Sequence, residues 1–250
     1  MLLLDQRITN LREFFGHERI APQPPQLDLS DEAAQGLGRF NIEWHYIPSP
    51  EEVPLDDAYM TRLYPIAPRD FNDQREHGLA YREHITQGHQ QHQGRLVGVE
   101  TTQKPRYLPD ERQFYGTAYG HDPTQDPFAE YMGLAGMMNG TRYDHNYLSL
   151  REFVRVVNAD WRVRKLLPEG YRVTVCPPAI FNLVGTVFHR EWSDTETLEL
   201  GFYLDDQGNA TCYAVGSNGP GDFSYINEVE GEGEWSLMGF RMALVPVQAS

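Results

Sequence analysis

The sequence predicts an α+β fold: a C-terminal antiparallel β sandwich or barrel with one packed amphipathic helix, preceded by a largely irregular N-terminal region with short helices. Three observations support this. Short β-branched and aromatic runs, separated by turn residues, recur from Tyr171 to Val245. A capped amphipathic helix precedes them, and prolines over 21–70 are too dense for a long helix or a central strand. We therefore expect an irregular interaction region rich in Pro, Gly and Tyr over 1–148 and a β-rich domain over 149–250.

The first predicted helix spans residues 2–15. Leu4, Ile8, Leu11 and Phe15 fall at helical spacing and form its apolar stripe. This stripe needs a partner surface, which is either the chain's own core or a neighbouring subunit. Under the second alternative the four side chains are candidate interface residues.

The clearest predicted helix starts at Ser149. Ser149 and Glu152 have the spacing of a capping box, and Pro168 marks the end of the helix. Its apolar stripe consists of Leu150, Phe153, Val154, Val157 and Trp161. Its polar sides carry four further candidate interface residues, Arg151, Arg155, Arg162 and Arg164.

Strand patterns follow this helix, separated by segments rich in turn residues. Upstream, Ser30 is expected to cap a short helix, and Phe40–Ile47 is expected to form one strand. The C-terminal strands are predicted at Tyr171–Val175, Ile180–Phe188, Thr197–Leu204, Ala210–Val215, Phe223–Val229 and Trp235–Val245.

The charge distribution bears on the class of partner. The formal net charge is −15, so the chain as a whole lacks the basic footprint that binding to a nucleic-acid backbone requires, and no direct nucleic-acid binding is expected. Residues 151–190 hold seven Arg or Lys against three Asp or Glu, whereas residues 191–250 hold eleven acids against Arg241 alone. The opposite signs suit either two solvated faces or stacking against copies of itself and neighbouring proteins of an assembly.

The cysteines and the N-terminus predict the compartment. Cys176 and Cys212 are the only cysteines, and we expect buried free thiols in a reducing compartment rather than a disulfide. Asp5 interrupts the apolar N-terminus, so neither a signal peptide nor a membrane span is expected. The expectation is cytoplasmic synthesis followed by incorporation into a particle.

Histidines provide the alternative hypothesis, a metal-assisted enzyme. His84, His89 and His92 lie in one polar segment, and His89 and His92 have a spacing that could chelate an ion. Under this hypothesis, further histidine and carboxylate ligands come from residues 76–145 and from His189. A solvent-exposed polar helix accounts for the same segment without any metal.

Other catalytic arrangements find little support. His121-Asp122 with His189 departs from the facial triad of iron oxygenases because its first two residues are adjacent. Asp144-His145 and His189-Arg190-Glu191 are possible acid/base pairs, and equally polar groups at loop ends. There is no Gly-x-Ser-x-Gly elbow and no glycine-rich phosphate loop. We therefore expect no catalytic residues and no cofactor.

One segment resembles a known family. Asn182-Leu-Val-Gly-Thr-Val-Phe-His-Arg-Glu-Trp192, followed by Gly239-Phe240-Arg241, resembles the closing motifs of the formylglycine-generating-enzyme branch of C-type-lectin-like folds. That family shows Gly-Asn-Val-Trp-Glu-Trp and ends on Gly-Phe-Arg. Here Thr186 replaces the asparagine, and the Arg-Gly-Gly-Ser-Trp core and the reactive cysteine pair are missing. The resemblance implies a C-type-lectin-like binding module in the last third rather than enzyme activity.

Together these patterns favour a structural or interaction subunit of a large assembly. A bacteriophage virion component (neck, tail, baseplate or decoration protein) is its concrete form. The metal-assisted enzyme remains an alternative, as does a carbohydrate- or protein-binding module that uses aromatic side chains. The tyrosines considered for such a module are Tyr115, Tyr119, Tyr131, Tyr143 and Tyr147.

Overall fold

A computed structural model of the chain shows a mixed α+β fold. The helices are α1 (Leu2–Phe15), α2 (Asp31–Gly38), α3 (Asp57–Leu63), α4 (Ala129–Leu134), α5 (Tyr147–Val163) and α6 (Pro178–Phe188), with a 3-10 helix at Arg190–Thr195. The strands are β1 (Ile42–Ile47), β2 (Arg95–Glu100), β3 (Tyr107–Leu108), β4 (Glu111–Arg112), β5 (Tyr171–Val175), β6 (Leu198–Leu204), β7 (Ala210–Gly216), β8 (Tyr225–Val229), β9 (Gly239–Phe240) and β10 (Met242–Pro246). The structure describes residues 2–18, 20–21, 26–63, 86, 90–102, 107–108, 111–112, 126–137, 142, 145–195, 198–204, 210–216, 225–229 and 238–247.

The strands form two larger sheets and one hairpin. The first sheet has the order β1-β2-β10-β5, and all its neighbours are antiparallel. The second has the order β8-β7-β6-β9, in which only β9 runs parallel to its neighbour β6. Strands β3 and β4 pair with each other. Neither larger sheet closes on itself, so the α+β class is confirmed and the sandwich or barrel is not.

The first sheet joins distant parts of the chain. Its strands β1 and β2 lie before residue 149, and its strands β10 and β5 lie after it. Ala243 and Leu244 of β10 pair with Val99 and Gly98 of β2, so the two parts share a hydrogen-bonded ladder. The first sheet therefore contains strands from both sides of the predicted division at residue 149.

Several predicted elements are present. Helix α1 covers the predicted stretch, the side chain of Ser30 caps α2, and β1 lies within Phe40–Ile47. Strands β5 to β8 fall on four of the predicted strands. Both cysteines are buried free thiols, as predicted, and burial raises the pKa of Cys176. No helix among the described residues has the length and hydropathy needed to cross a membrane.

One predicted strand is wrong. Ile180–Phe188 belongs to helix α6, which begins with Pro178 in its first turn, where a proline fits a helix without losing a hydrogen bond. Every residue from Pro178 to Gly185 is buried. A short segment that is apolar on all sides shows neither the helical nor the strand period, so its composition alone favoured the strand.

The predicted capping box of α5 is also wrong by one turn. The helix begins at Tyr147, and the capping residue is Asn146, whose side chain accepts a hydrogen bond from the Ser149 amide. The Ser149 hydroxyl in turn accepts one from the Asn146 amide. Ser149 thus takes the role that had been assigned to Glu152, because serine can return the hydrogen bond as glutamate does.

A buried ion cluster holds the core together. The Arg142 guanidinium donates to both carboxylate oxygens of Asp126 and both of Glu100, at 2.5–2.7 Å, and to the Phe240 carbonyl at 3.1 Å. Burial alone would lower the pKa of Arg142, but the charges of Asp126 and Glu100 raise it well above its ordinary value. Glu100 also accepts a hydrogen bond from the Met242 amide at 3.0 Å.

A second buried arginine extends this cluster. Arg241 forms a bidentate ion pair with Glu199 of β6, with N–O distances of 2.8 and 2.9 Å. It also donates to the carbonyls of Glu100 and Thr102 at 2.6 and 3.1 Å. Since Glu100 lies on β2 and Arg241 lies between β9 and β10, the two arginines tie the first sheet to the second.

Replacing Arg142 tests this cluster. Arg142→Met leaves two buried carboxylates without their cation, so we expect the free energy of unfolding to fall by about 3–5 kcal/mol. Urea denaturation followed by circular dichroism measures the change. Arg155→Met is the control, since Arg155 forms an exposed pair with Glu152 and its loss should leave the unfolding curve unchanged. An Arg142 variant as stable as the wild type would contradict a stabilising role.

Candidate functional site

A carboxylate and two imidazoles meet where α6 ends beside β1. The Nε2 atoms of His45 and His189 lie 3.8 and 3.5 Å from Oε2 of Glu43. One ligand atom from each of the three residues lies within 4.8 Å of the others, and no other such group of three occurs among the residues the structure describes.

Local structure places each of the three side chains. Glu43 and His45 are two residues apart on β1, so their side chains point to the same face of the strand. His189 is the C-terminal capping residue of α6, and its amide donates to the carbonyls of Val184 and Gly185 at 3.1 and 3.2 Å. The end of the helix therefore holds His189 over β1.

His45 is the unusual member of the group. Its side chain is fully buried, and neither ring nitrogen makes a hydrogen bond with any described residue. The ring lies against that of Phe188, with 4.7 Å between the ring centroids. Buried polar atoms nearly always have partners, so two unpartnered nitrogens in one ring need an explanation.

The charge states suit metal ligands. Burial, with the charges of Arg7 and His189, lowers the pKa of His45 well below its ordinary value, which keeps that imidazole neutral. The hydrogen bond with His189 lowers the pKa of Glu43, burial opposes this, and the charge of Arg7 supports it. A neutral imidazole and an ionised carboxylate are the forms that bind a cation.

Two neighbours hold His189 in position. Oε1 of Glu191 lies 2.9 Å from Nδ1 of His189, which leaves Nε2 directed at Glu43. The Trp192 ring stacks on the imidazole at 4.7 Å between centroids. The Trp192 ring also contacts the Arg241 guanidinium, which lies 3.8 Å from the ring centroid. The site is thus connected to the buried ion cluster.

Arg7 of α1 orients the carboxylate. It forms a short ion pair with Glu43 and donates to the Trp44 carbonyl at 3.0 Å. Its positive charge disfavours a cation, but a hydrogen bond to a ligating carboxylate also fixes its orientation, as at many metal sites. The Glu43 side chain is thus held by Arg7, and it remains one third exposed.

The predicted metal ligands are only partly described. His92 is buried, its Nδ1 has no partner among the described residues, and burial with the charges of Arg172 and Arg95 lowers its pKa to about 4. It does not belong to the group around Glu43. His84 and His89 lie outside the described residues.

The predicted interface residues divide into two sets. Ile8, Leu11 and Phe15 are buried in the chain's own core, and Leu4 packs against that core. Their assignment to an interface stays a prediction, and it would require α1 to detach. The four arginines of α5, by contrast, are all exposed: Arg151, Arg155, Arg162 and Arg164.

The remaining candidates are scattered. His189 and Glu191, considered as an acid/base pair, do lie together. His145 is buried with its ring at 6.0 Å from that of Phe240, and Tyr131 is buried with its hydroxyl on Asp160. Those outside the described residues are His121, Asp122, Asp144, Tyr115, Tyr119 and Tyr143.

The sequence contained a signal for this site that the prediction missed. Within Phe40–Ile47, which was expected to be a strand, Glu43 and His45 are separated by one residue and so share a face. The histidine-rich segment around His84 is the stronger signal in residue counts alone. The contact with His189 does not follow from the sequence pattern, because that pattern predicts a strand where helix α6 precedes His189.

Comparison with known proteins adds no relative. No protein family model, no curated protein and no solved structure matches the chain. The function is therefore inferred from the geometry of the site.

Replacing the buried imidazole tests whether its two nitrogens lack hydrogen-bond partners. In metal-free protein, His45→Leu removes two unpartnered polar atoms from an apolar environment, so we expect the free energy of unfolding to rise by about 1–2 kcal/mol. Urea denaturation in the presence of EDTA measures this. His17→Leu, at an exposed histidine, is the control and should have no effect. A destabilised His45 variant would mean that the ring nitrogens have partners in solution.

Proposed function

We propose that the chain binds one divalent transition-metal ion through Glu43, His45 and His189. The observation that carries the proposal is the fully buried His45 ring, whose two nitrogens have no partner among the described residues and lie beside a carboxylate and a second imidazole. A bound cation would give this ring the partner it lacks.

The ligand spacing suits a tetrahedral ion. Ligands about 2.0–2.1 Å from zinc are roughly 3.3 Å apart in a tetrahedron and roughly 2.9 Å apart in an octahedron. The Nε2 atoms of His45 and His189 lie 3.8 and 3.5 Å from Oε2 of Glu43. Small side-chain rotations close these distances to the tetrahedral value.

The ligand types also favour zinc. Imidazole suits zinc, copper, iron and nickel, whereas magnesium and calcium prefer oxygen ligands alone. Glu191 accepts from one nitrogen of His189 and so presents the other, an arrangement that supports many zinc-binding histidines. We therefore name Zn²⁺ as the expected ion.

An open coordination position suggests the class of chemistry. The three ligands found among the described residues leave a fourth position for water or substrate, which is typical of catalytic rather than structural zinc sites. The side chains of Glu43 and His189 are 33% and 16% exposed, so the site is accessible from that side. Metal-assisted hydrolysis is the reaction class that such a site supports.

Zinc titration of stripped protein tests the proposal. Isothermal titration calorimetry should show one equivalent bound, and Co²⁺ in place of zinc should give the intense visible absorption of a tetrahedral complex. Glu43→Gln and His189→Ala should each lower the affinity by more than about a hundredfold, since losing a supporting contact alone costs 10–100-fold. Glu191→Ala should show that smaller loss.

A matched histidine variant makes the result specific. His17→Ala removes an exposed histidine outside the site and should bind zinc as the wild type does. Circular dichroism confirms that each variant is folded. Absence of saturable binding, or wild-type affinity in both Glu43→Gln and His189→Ala, would overturn the proposal.

A second candidate is the structural or interaction subunit, in its concrete form a bacteriophage virion component. The supporting observation is an outward face of α5 that is both apolar and basic: Leu148 is 60% exposed, and Arg151, Arg155 and Arg162 are exposed along the same side of the helix. We propose that this face docks on the acidic part of a second copy, since residues 191–250 carry eleven acids against one arginine.

Sedimentation analysis at low and high salt tests the assembly role. We expect self-association that weakens with salt, because the proposed contact joins opposite charges. Arg151→Glu and Leu148→Ser should each weaken it, whereas Lys165→Glu, the same charge change off this face, should not. A salt-independent monomer, or equal effects of Arg151→Glu and Lys165→Glu, would contradict the assembly role.

A further inference from the structure

A cleft of about 350 Å³ lies between helix α5 and the edge strand β5. Arg155 and Arg162 line it from the helix, and Arg172 lines it from the strand. None of the eight described residues that line it is acidic, and the five others are small, apolar or uncharged. Such a surface attracts anions.

Arg172 is the member that needs an anion. Its Nε is buried and has no hydrogen-bond partner among the described residues, and burial lowers the pKa of its guanidinium. The two arginines that are buried as whole residues in the described part of the chain both have carboxylate partners: Arg142 pairs with Asp126 and Glu100, and Arg241 pairs with Glu199. A desolvated N–H without an acceptor is unfavourable, so an anion that accepts from Arg172 would stabilise this part of the described structure.

We propose that the cleft binds the phosphate group of a small molecule between Arg162 and Arg172. A guanidinium offers paired N–H groups that match phosphate oxygens, and two of them from facing elements neutralise a doubly charged group. Arg155 is already paired with Glu152, so the proposed site uses Arg162 and Arg172 rather than Arg155. The cleft volume is at the small end of the range for small-molecule sites.

Strand addition by a peptide does not fit this cleft. The side-chain amide of Asn158 accepts from the Val173 amide and donates to the Val173 carbonyl, both at 2.8 Å. This occupies the backbone groups that an added strand would need at the centre of β5. A compact anion that binds side chains is therefore favoured over an extended peptide.

Inorganic phosphate is the probe for the test. Titration followed by the NMR signals of the arginine Nε–Hε groups should shift the Arg172 signal in a saturable way, with little effect on that of Arg151. Arg162→Gln and Arg172→Met should each weaken binding about tenfold or more, the loss expected for a hydrogen bond to a charged group. Arg151→Gln, at an arginine of α5 outside the cleft, should bind as the wild type does.

The outcomes separate the alternatives. Arg162 is exposed, so its variant tests the proposal even if Arg172→Met fails to fold. Acetate binding as tightly as phosphate would overturn the phosphate assignment in favour of a carboxylate. No saturable shift of the Arg172 signal, or equal losses in Arg151→Gln and Arg162→Gln, would overturn the site itself. Zinc-free protein serves throughout, which keeps this test independent of the Glu43 site.

Discussion

Neutralisation of two buried arginines is the constraint on which the rest of the structure depends. Arg142 and Arg241 are fully buried, and each is held by carboxylates from distant parts of the chain. Neither charge could remain in the core without these partners, so β2, β6 and the turn between β9 and β10 must come together for the core to form. The same contacts reach the candidate site, because Arg241 lies on Trp192 and Trp192 stacks on His189.

The sequence predicted the elements in which burial is one-sided. Helices α1 and α5 each bury one face, which leaves a readable period in their residues. Helix α6 is buried on all sides and therefore carries no period. The pairing of β2 with β10 could not be predicted either, because it depends on hydrogen bonds between residues almost 150 positions apart.

The candidate site shows the same limit more sharply. Two of its three residues, Glu43 and His45, are ligand types separated by one residue on a predicted strand. The third, His189, is positioned by the end of α6, and predicting a strand for that segment gives His189 a different place in the fold. The number of histidines instead favours the polar segment around His84 as a metal site. Spacing within a correctly assigned element is thus the more useful signal.

Both outer strands of the first sheet have side chains bound to their backbone. Asn158 occupies the amide and carbonyl of Val173 on β5, and Arg7 donates to the Trp44 carbonyl on β1. Open strand edges are templates on which like chains add to one another and form fibrils. Polar side chains that bind these backbone groups cover the strand edges without an additional helix or strand. They protect the fold against strand addition at high local concentration. Aggregation through this sheet is thereby disfavoured, whichever partner the chain has.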